Sequence, residues 1–160
     1  MRPRQLIRKP KTVTKAGKWE TGKMGKQAFP LSRGRYYVLG ARWTWRVDVL
    51  TAAGFECRLL TAFEPSTDQY LALLTYRRGS VYVVVARLEY HGHEPGLHCH
   101  AACEPLSTVT GGVVKPYGTQ RLPRHGSRHR RASYDMTQAG ALQTSFRFFN
   151  VSATPEGAMV

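Results

Sequence analysis

The sequence predicts an α+β fold: a mainly antiparallel sheet of about five strands, run as a meander, with one C-terminal α-helix and a basic, flexible N-terminal arm. Three observations carry this expectation. Between 37 and 104, apolar and polar residues alternate with period two, as strands buried on one face require. The runs are separated by short turn-rich segments, whereas a parallel pair needs a crossover of about a dozen residues or more. Apolar residues recur at helical spacing in one stretch, 135–149, where an amphipathic helix would lie across the sheet.

Residues 1–35 come first in the chain and hold Arg2, Arg4, Arg8, Lys9, Lys11, Lys15, Lys18, Lys23, Lys26, Arg33 and Arg35 against a single acid, Glu20. Pro3, Pro10, Pro30, Gly17, Gly22 and Gly25 interrupt the segment and apolar periodicity is slight, so it reads as a flexible arm. A polyanion is the natural partner, because each neutralised phosphate releases counterions. The plainer reading is a solubilising tail, or a chain that starts at Met24.

The first strand is expected over 37–49. Tyr37, Leu39, Ala41, Trp43, Trp45, Val47 and Val49 form its apolar face, and Arg42, Thr44, Arg46 and Asp48 lie on its wet one. The two tryptophans are expected in the core, with stacking on bases the lesser expectation. Four further strands follow over 55–63, 70–76, 81–91 and 97–104, each bounded by Gly, Pro, Ser or Asp. The pattern then fades into an irregular basic stretch, in which Lys115, Arg121, Arg124, Arg128, Arg130 and Arg131 meet no acid. Asp135 with Gln138 resembles a capping box that opens a helix bearing Met136, Ala139, Leu142, Phe146 and Phe149 on one face. The organisation is therefore an arm over 1–35, one β-rich domain over 36–150 and a frayed tail over 151–160.

Composition bounds the function. The 160 residues suit one domain, and 42% hydrophobic residues suffice for a core. No apolar run approaches the ~20 residues of a membrane helix. The basic N-terminus lacks the apolar stretch of a signal peptide. Three cysteines fit a reducing, cytoplasmic setting better than a disulfide scaffold. Lys and Arg number 24 against 10 Asp and Glu, a net +14. The arm and 115–131 supply that excess, and the remainder is near neutral. Nucleic acid is the expected partner, through the arm residues together with Arg121, Arg124, Arg128, Arg130 and Arg131.

Four of the six histidines fall between 91 and 100. Strand parity puts Arg87, Glu89 and His91 on one face and Leu88 and Tyr90 on the other. It likewise unites His98 and His100 and sends Cys99 and Cys103 to the opposite side, where they and Cys57 are read as core packing. Matching faces across the hairpin predicts His91 opposite His98, Glu89 opposite His100 and Arg87 opposite Ala102, with His93 and Glu94 in the loop. Such a grid of Glu89, His91, His98 and His100 suits one divalent ion, Zn, Mn or Fe. Metal-free acid–base chemistry on a phosphodiester, with Arg87 holding the phosphate, is the alternative. A solvated, histidine-rich hairpin without chemistry is the plainest reading.

Gly92, His98, His100, Glu104 and Gly111 stand at the spacings of the first cupin motif, which this stretch resembles. Gly118, Gly126 and His129 approximate the second, with Pro123 one place early and Ser133 where that motif has Asn. The resemblance implies a small β-barrel with His98, His100, Glu104 and His129 around one metal, acting on a small molecule. His98-Cys99-His100 is also similar to the His-hydrophobic-His core of single-strand DNA nickases, which implies a tyrosine nucleophile, here Tyr117 or Tyr134. In layout, Arg87, Glu89 and His98 look like the catalytic face of small ribonucleases. The expected function is a nucleic-acid-binding, metal-dependent phosphodiester-cleaving enzyme. Glu89, His98, His100 and Arg87 are its catalytic set, and His91, His98, His100 and Glu89 are its metal ligands. A cupin-like metal protein and a non-catalytic nucleic-acid-binding module are the alternatives.

Overall fold

A computed structural model describes residues 1–25, 28–29, 39–91, 96–109 and 136–153, and the backbone of 119–122. In chain order the elements are α1 (Pro3–Arg8), β1 (Lys11–Lys15), β2 (Glu20–Thr21), β3 (Thr44–Ala52) and β4 (Phe55–Glu64), then a 3-10 turn (Pro65–Thr67). They continue with β5 (Gln69–Arg78), β6 (Val81–His91), β7 (His98–Ala102), β8 (Thr119–Leu122), α2 (Gln138–Phe148) and β9 (Val151–Ser152). The chain is mostly β, and its sheet is curled and mixed, a half-barrel. Strand order is β8-β7-β6-β5-β4-β3-β1-β9, with β2 pairing beside β3.

The central antiparallel run β3 to β7 follows the alternation closely. Between β3 and β4 a two-residue turn places Ala53 at φ 48 and Gly54 at φ 81, left-handed conformations whose twist matches that of the strands. Both faces of the sheet are covered. One carries the larger core, with Leu50, Leu59, Phe63, Tyr70, Leu74, Val85, Leu88 and Cys99 beneath α1 and α2. The other carries Trp45, Leu60, Ala62, Leu71, Leu73 and Val84, packed with Phe29 and Leu39.

Several expectations are corrected. A five-stranded antiparallel meander is replaced by the larger mixed sheet, because both ends of the described chain add strands to it. The segment expected to be a flexible arm contributes α1, β1 and β2. Leu6 and Ile7 enter the larger core, and β1 inserts between β3 and β9. The tail is not wholly frayed, since Val151 and Ser152 pair in parallel with Lys11 and Thr12. The first long strand runs from Thr44 to Ala52, so Leu39, Ala41 and Trp43 precede it, and Tyr37 lies outside the described residues. Within it Asp48 is buried on the face of Leu50, where Arg46 grips its carboxylate at 2.8 Å and the Gly17 N–H donates to it at 2.8 Å.

The N-cap of α2 is Thr137, whose side chain accepts from the Gly140 N–H; Asp135 lies outside the described residues. The buried stripe of the helix is Ala141, Ser145 and Phe149. Ser145 hydrogen-bonds Thr61 at 2.9 Å and also meets the Tyr70 hydroxyl.

Candidate functional site

The site is built on the β6–β7 pair, on the face that carries the smaller core. A β-bulge precedes it: Thr75 pairs with Val84 and Leu74 with Ala86, leaving Val85 as the extra residue. Beyond the bulge, Leu73 pairs with Arg87 and Leu71 with Glu89. On the other side of β6, Arg87 pairs with His100 and Glu89 with His98. Two rows therefore cross the sheet, Ala62–Leu71–Glu89–His98 and Leu60–Leu73–Arg87–His100, each apolar on β4 and β5 and ionisable on β6 and β7.

The expected register is thus corrected by two residues. His98 faces Glu89 rather than His91, and His91 lies beyond the β6–β7 pairs, with Gln69 of β5 as its partner on the other side. A slip of two preserves every face assignment, since side chains alternate with period two. The expected face therefore stands while the partners change.

Glu89 is the hub. Its Oε1 lies 3.1 Å from His98 Nε2 and 3.4 Å from His100 Nε2. Its Oε2 lies 3.2 Å from Arg87 Nε and 3.4 Å from His91 Nε2. One oxygen therefore gathers the two β7 imidazoles, and the other gathers its own strand's cation and imidazole. His98 is buried, Glu89 nearly so, and Arg87, His91 and His100 are partly open.

The His98 ring is oriented by its other nitrogen, since Nδ1 lies 3.3 Å from the Gly96 carbonyl oxygen. The carbonyl and the carboxylate both only accept, so a neutral ring donates to one of them and turns a lone pair to the other, and only a doubly protonated ring donates to both. Where Nε2 carries the lone pair, a cation between it and the Glu89 oxygen 3.1 Å away, a metal ion or a second proton, completes the contact. The ligand atoms of Glu89, His98 and His100 all lie within 4.8 Å of one another. A tetrahedral ion with bonds of about 2.0–2.1 Å spaces its ligand atoms about 3.3 Å apart, close to the two Glu89 separations. This cluster has the donors and the spacing to hold a divalent ion.

Of the ligands implied by the cupin resemblance, His98 and His100 belong to the cluster. Glu104 is exposed beyond the end of β7 and is absent from that cluster. His129, Tyr117, Tyr134, His93 and Glu94 lie outside the described residues. Cys57 and Cys99 are buried, and burial pushes their thiols up to about 11 and about 12. Cys103 is half-buried.

The expected nucleic-acid contacts scatter. Arg2, Arg8, Lys9, Lys15, Lys18 and Lys23 are exposed, and Arg2 spends one guanidinium nitrogen on the Cys103 carbonyl at 2.6 Å. Arg4 is half-buried. Lys11 is corrected outright: it is fully buried, with Nζ donating to the carbonyls of Leu6, Ile7, Lys9 and Phe149, so it meets no phosphate. Arg121 belongs to β8, where its backbone pairs with His100. Lys26, Arg124, Arg128, Arg130 and Arg131 lie outside the described residues.

Among the described residues no helix is long and apolar enough to cross a membrane. Comparison with protein-family models, with curated proteins and with solved structures finds nothing that matches this chain.

Proposed function

We propose that this protein is a nucleic-acid-binding enzyme that cleaves phosphodiesters with a divalent ion, Zn, Mn or Fe, held by Glu89, His98 and His100. The observation that carries the reading is the convergence of two imidazole nitrogens on one carboxylate oxygen, at 3.1 and 3.4 Å. Beside it stands Arg87, a partly open guanidinium suited to a non-bridging phosphate oxygen. When bound, the ion supplies Lewis-acid stabilisation of the charge that builds on the phosphate. Water adds to phosphorus and gives up a proton to solvent, the bond to the leaving oxygen breaks, and that oxygen takes up a proton. His91, the most open member of the set, is the group at the rim suited to donate it, or to serve as a fourth ligand. The exposed Arg8, Lys9, Lys15, Lys18 and Lys23 supply sequence-independent attraction for a polyanion.

A metal-free reading draws on the same pair, because His98 Nε2 at 3.1 Å from Glu89 is also hydrogen-bond distance for a doubly protonated ring. Metal analysis of the purified protein and of His98→Ala and His100→Ala, with nuclease assays in the presence and absence of chelator, separates the readings. Stoichiometric metal lost in both variants, with chelator-sensitive cleavage, is the expected result. Chelator-resistant cleavage selects the metal-free mechanism, and metal without cleavage selects a cupin-like protein for small molecules. Neither metal nor cleavage overturns the proposal and leaves a binding module.

A further inference from the structure

A pocket of about 300 Å³ opens beside this site, lined by Gly40, Ala41, Arg42, Trp43, Glu64, Thr67 and Gln69. We infer that it receives one base of a single-stranded nucleic acid, with Trp43 as the stacking platform and Gln69 reading the base edge. The inference rests on the neighbouring site being one for phosphodiesters.

Register places the pocket. Glu64 pairs with Gln69, and Gln69 with His91, so the three form a row next to Ala62–Leu71–Glu89–His98 on the same face. Gln69 therefore stands one strand spacing, about 4.8 Å, from His91, and His91 Nε2 is itself 3.4 Å from Glu89. A strand whose phosphate lies at Glu89 and Arg87 has its neighbouring base within reach of this row.

The chemistry of the walls selects a base over a phosphate. Glu64 is buried, and its carboxylate accepts from the backbone N–H and hydroxyl of both Ser66 and Thr67. These hydrogen bonds hold its carboxyl below the usual range, so a negative charge is fixed in the wall and repels a phosphate. Exposed Arg42, at the same pocket, is left to take the phosphate outside it. Gln69 Nε2 donates to Thr67 Oγ1 at 2.9 Å, which fixes the amide and turns its oxygen into an oriented acceptor for a base amino group. The tryptophans divide their roles: Trp45 is buried, with its indole N–H on the Gly22 carbonyl, whereas Trp43 is half-buried, packing on the smaller core and lining the pocket. The volume suits one ring system, and a paired base cannot enter without leaving its stack. Unpaired strands are therefore the class of ligand.

The test uses the full chain carrying Glu89→Gln, so that bound strands stay intact. Anisotropy measures binding of a short single-stranded oligonucleotide, the same oligonucleotide with one abasic position, and the corresponding duplex. The abasic strand and the duplex are expected to bind about tenfold more weakly than the intact strand. Trp43→Ala is expected to erase that difference between intact and abasic strands, and Trp43→Phe to restore most of it. Because each protein is compared with itself on two ligands, a general loss of folding does not imitate this result. Equal binding of intact and abasic strands by the Glu89→Gln chain overturns the inference, and so does a preference that survives Trp43→Ala. Cleavage by the wild-type chain is scored separately. Chelator-sensitive cleavage without base preference removes the pocket and keeps the enzyme, while Trp43-dependent base preference without cleavage does the reverse.

Discussion

At position 11 a lysine ammonium lies in the interior, and its partners explain why it is tolerated there. Nζ donates to the Leu6 and Ile7 carbonyls at 2.6 and 2.9 Å, to Lys9 at 2.9 Å and to Phe149 at 2.6 Å. The first two end α1 and the last is the C-cap of α2, so one cation satisfies orphan carbonyls at the negative ends of two helices. Lys11→Met keeps the volume but leaves those carbonyls unpaired, at about 1–3 kcal/mol for each that stays buried. Denaturant unfolding is expected to register a loss of at least about 3 kcal/mol. Burial pushes the ammonium down from 10.5 to about 8. Between those values the unfolded chain holds a proton that the folded chain has shed, so stability owed to Lys11 rises with pH through that window and is lowest below it. The gap between wild type and Lys11→Met is therefore expected to shrink below pH 8 relative to its value near pH 10.5; a gap that narrows as pH rises contradicts the assignment. The cysteines give a second prediction at this scale. Cys57 and Cys99 are buried with thiols pushed up to about 11 and about 12, whereas Cys103 is half-buried. A thiol reagent at neutral pH is expected to modify Cys103 in the native protein and all three after unfolding.

Among the elements, the connection from β1 to β2 depends on a close crossing. A Cβ built on Gly17 sits 2.0 Å from the Val47 carbonyl oxygen, so any side chain pushes this strap off β3. The shift also breaks the Gly17 N–H bond to buried Asp48. Gly17→Ala is expected to cost roughly 1–3 kcal/mol in thermal or denaturant unfolding. Gly25→Ala, where a Cβ meets nothing within 4 Å, is expected to be near neutral and serves as the control. Strands β4 to β7 are legible in the sequence because Leu59, Leu74, Leu88 and Cys99 alternate with residues of the opposite face. The face shared by Glu89, His91, His98 and His100 is legible for the same reason. Their partners are not, because moving His98 from His91 to Glu89 changes no face. The buried stripe of α2 escapes because Ala141 and Ser145 carry little hydrophobicity; close approach and the Thr61 hydrogen bond decide it instead. The Val85 bulge leaves no mark in a run of three valines.

In the whole molecule, the long reach of the chain ends is what composition conceals. Eleven basic residues in 1–35 read as a solvated arm, yet Pro3, Leu6, Ile7, Lys11 and Val13 are buried, because tertiary partners outweigh local charge. Removing residues 1–15 is therefore expected to abolish cooperative unfolding, since it uncovers the edge of β3 and the larger core. Binding to nucleic acid is better tested by changing exposed Arg8, Lys9, Lys15, Lys18 and Lys23 to Gln. Tm is then expected to hold while the slope of log affinity against log salt becomes shallower, by about 0.7 for each single-strand phosphate that is no longer neutralised. Lys11 also constrains the order of assembly. Its Phe149 partner stands 138 positions away, and β9, which pairs with β1, comes later still. Such long-range pairings are slow to form. On the ribosome, α1 and β1 emerge with no strand to join and no carbonyl from α2 to meet the lysine. β3 offers β1 a partner once residues 44–52 have been made, but β9 and the Phe149 carbonyl arrive only with residues 149–152. The site of α1 and β1 is therefore completed only when partners from the far end of the described sheet arrive.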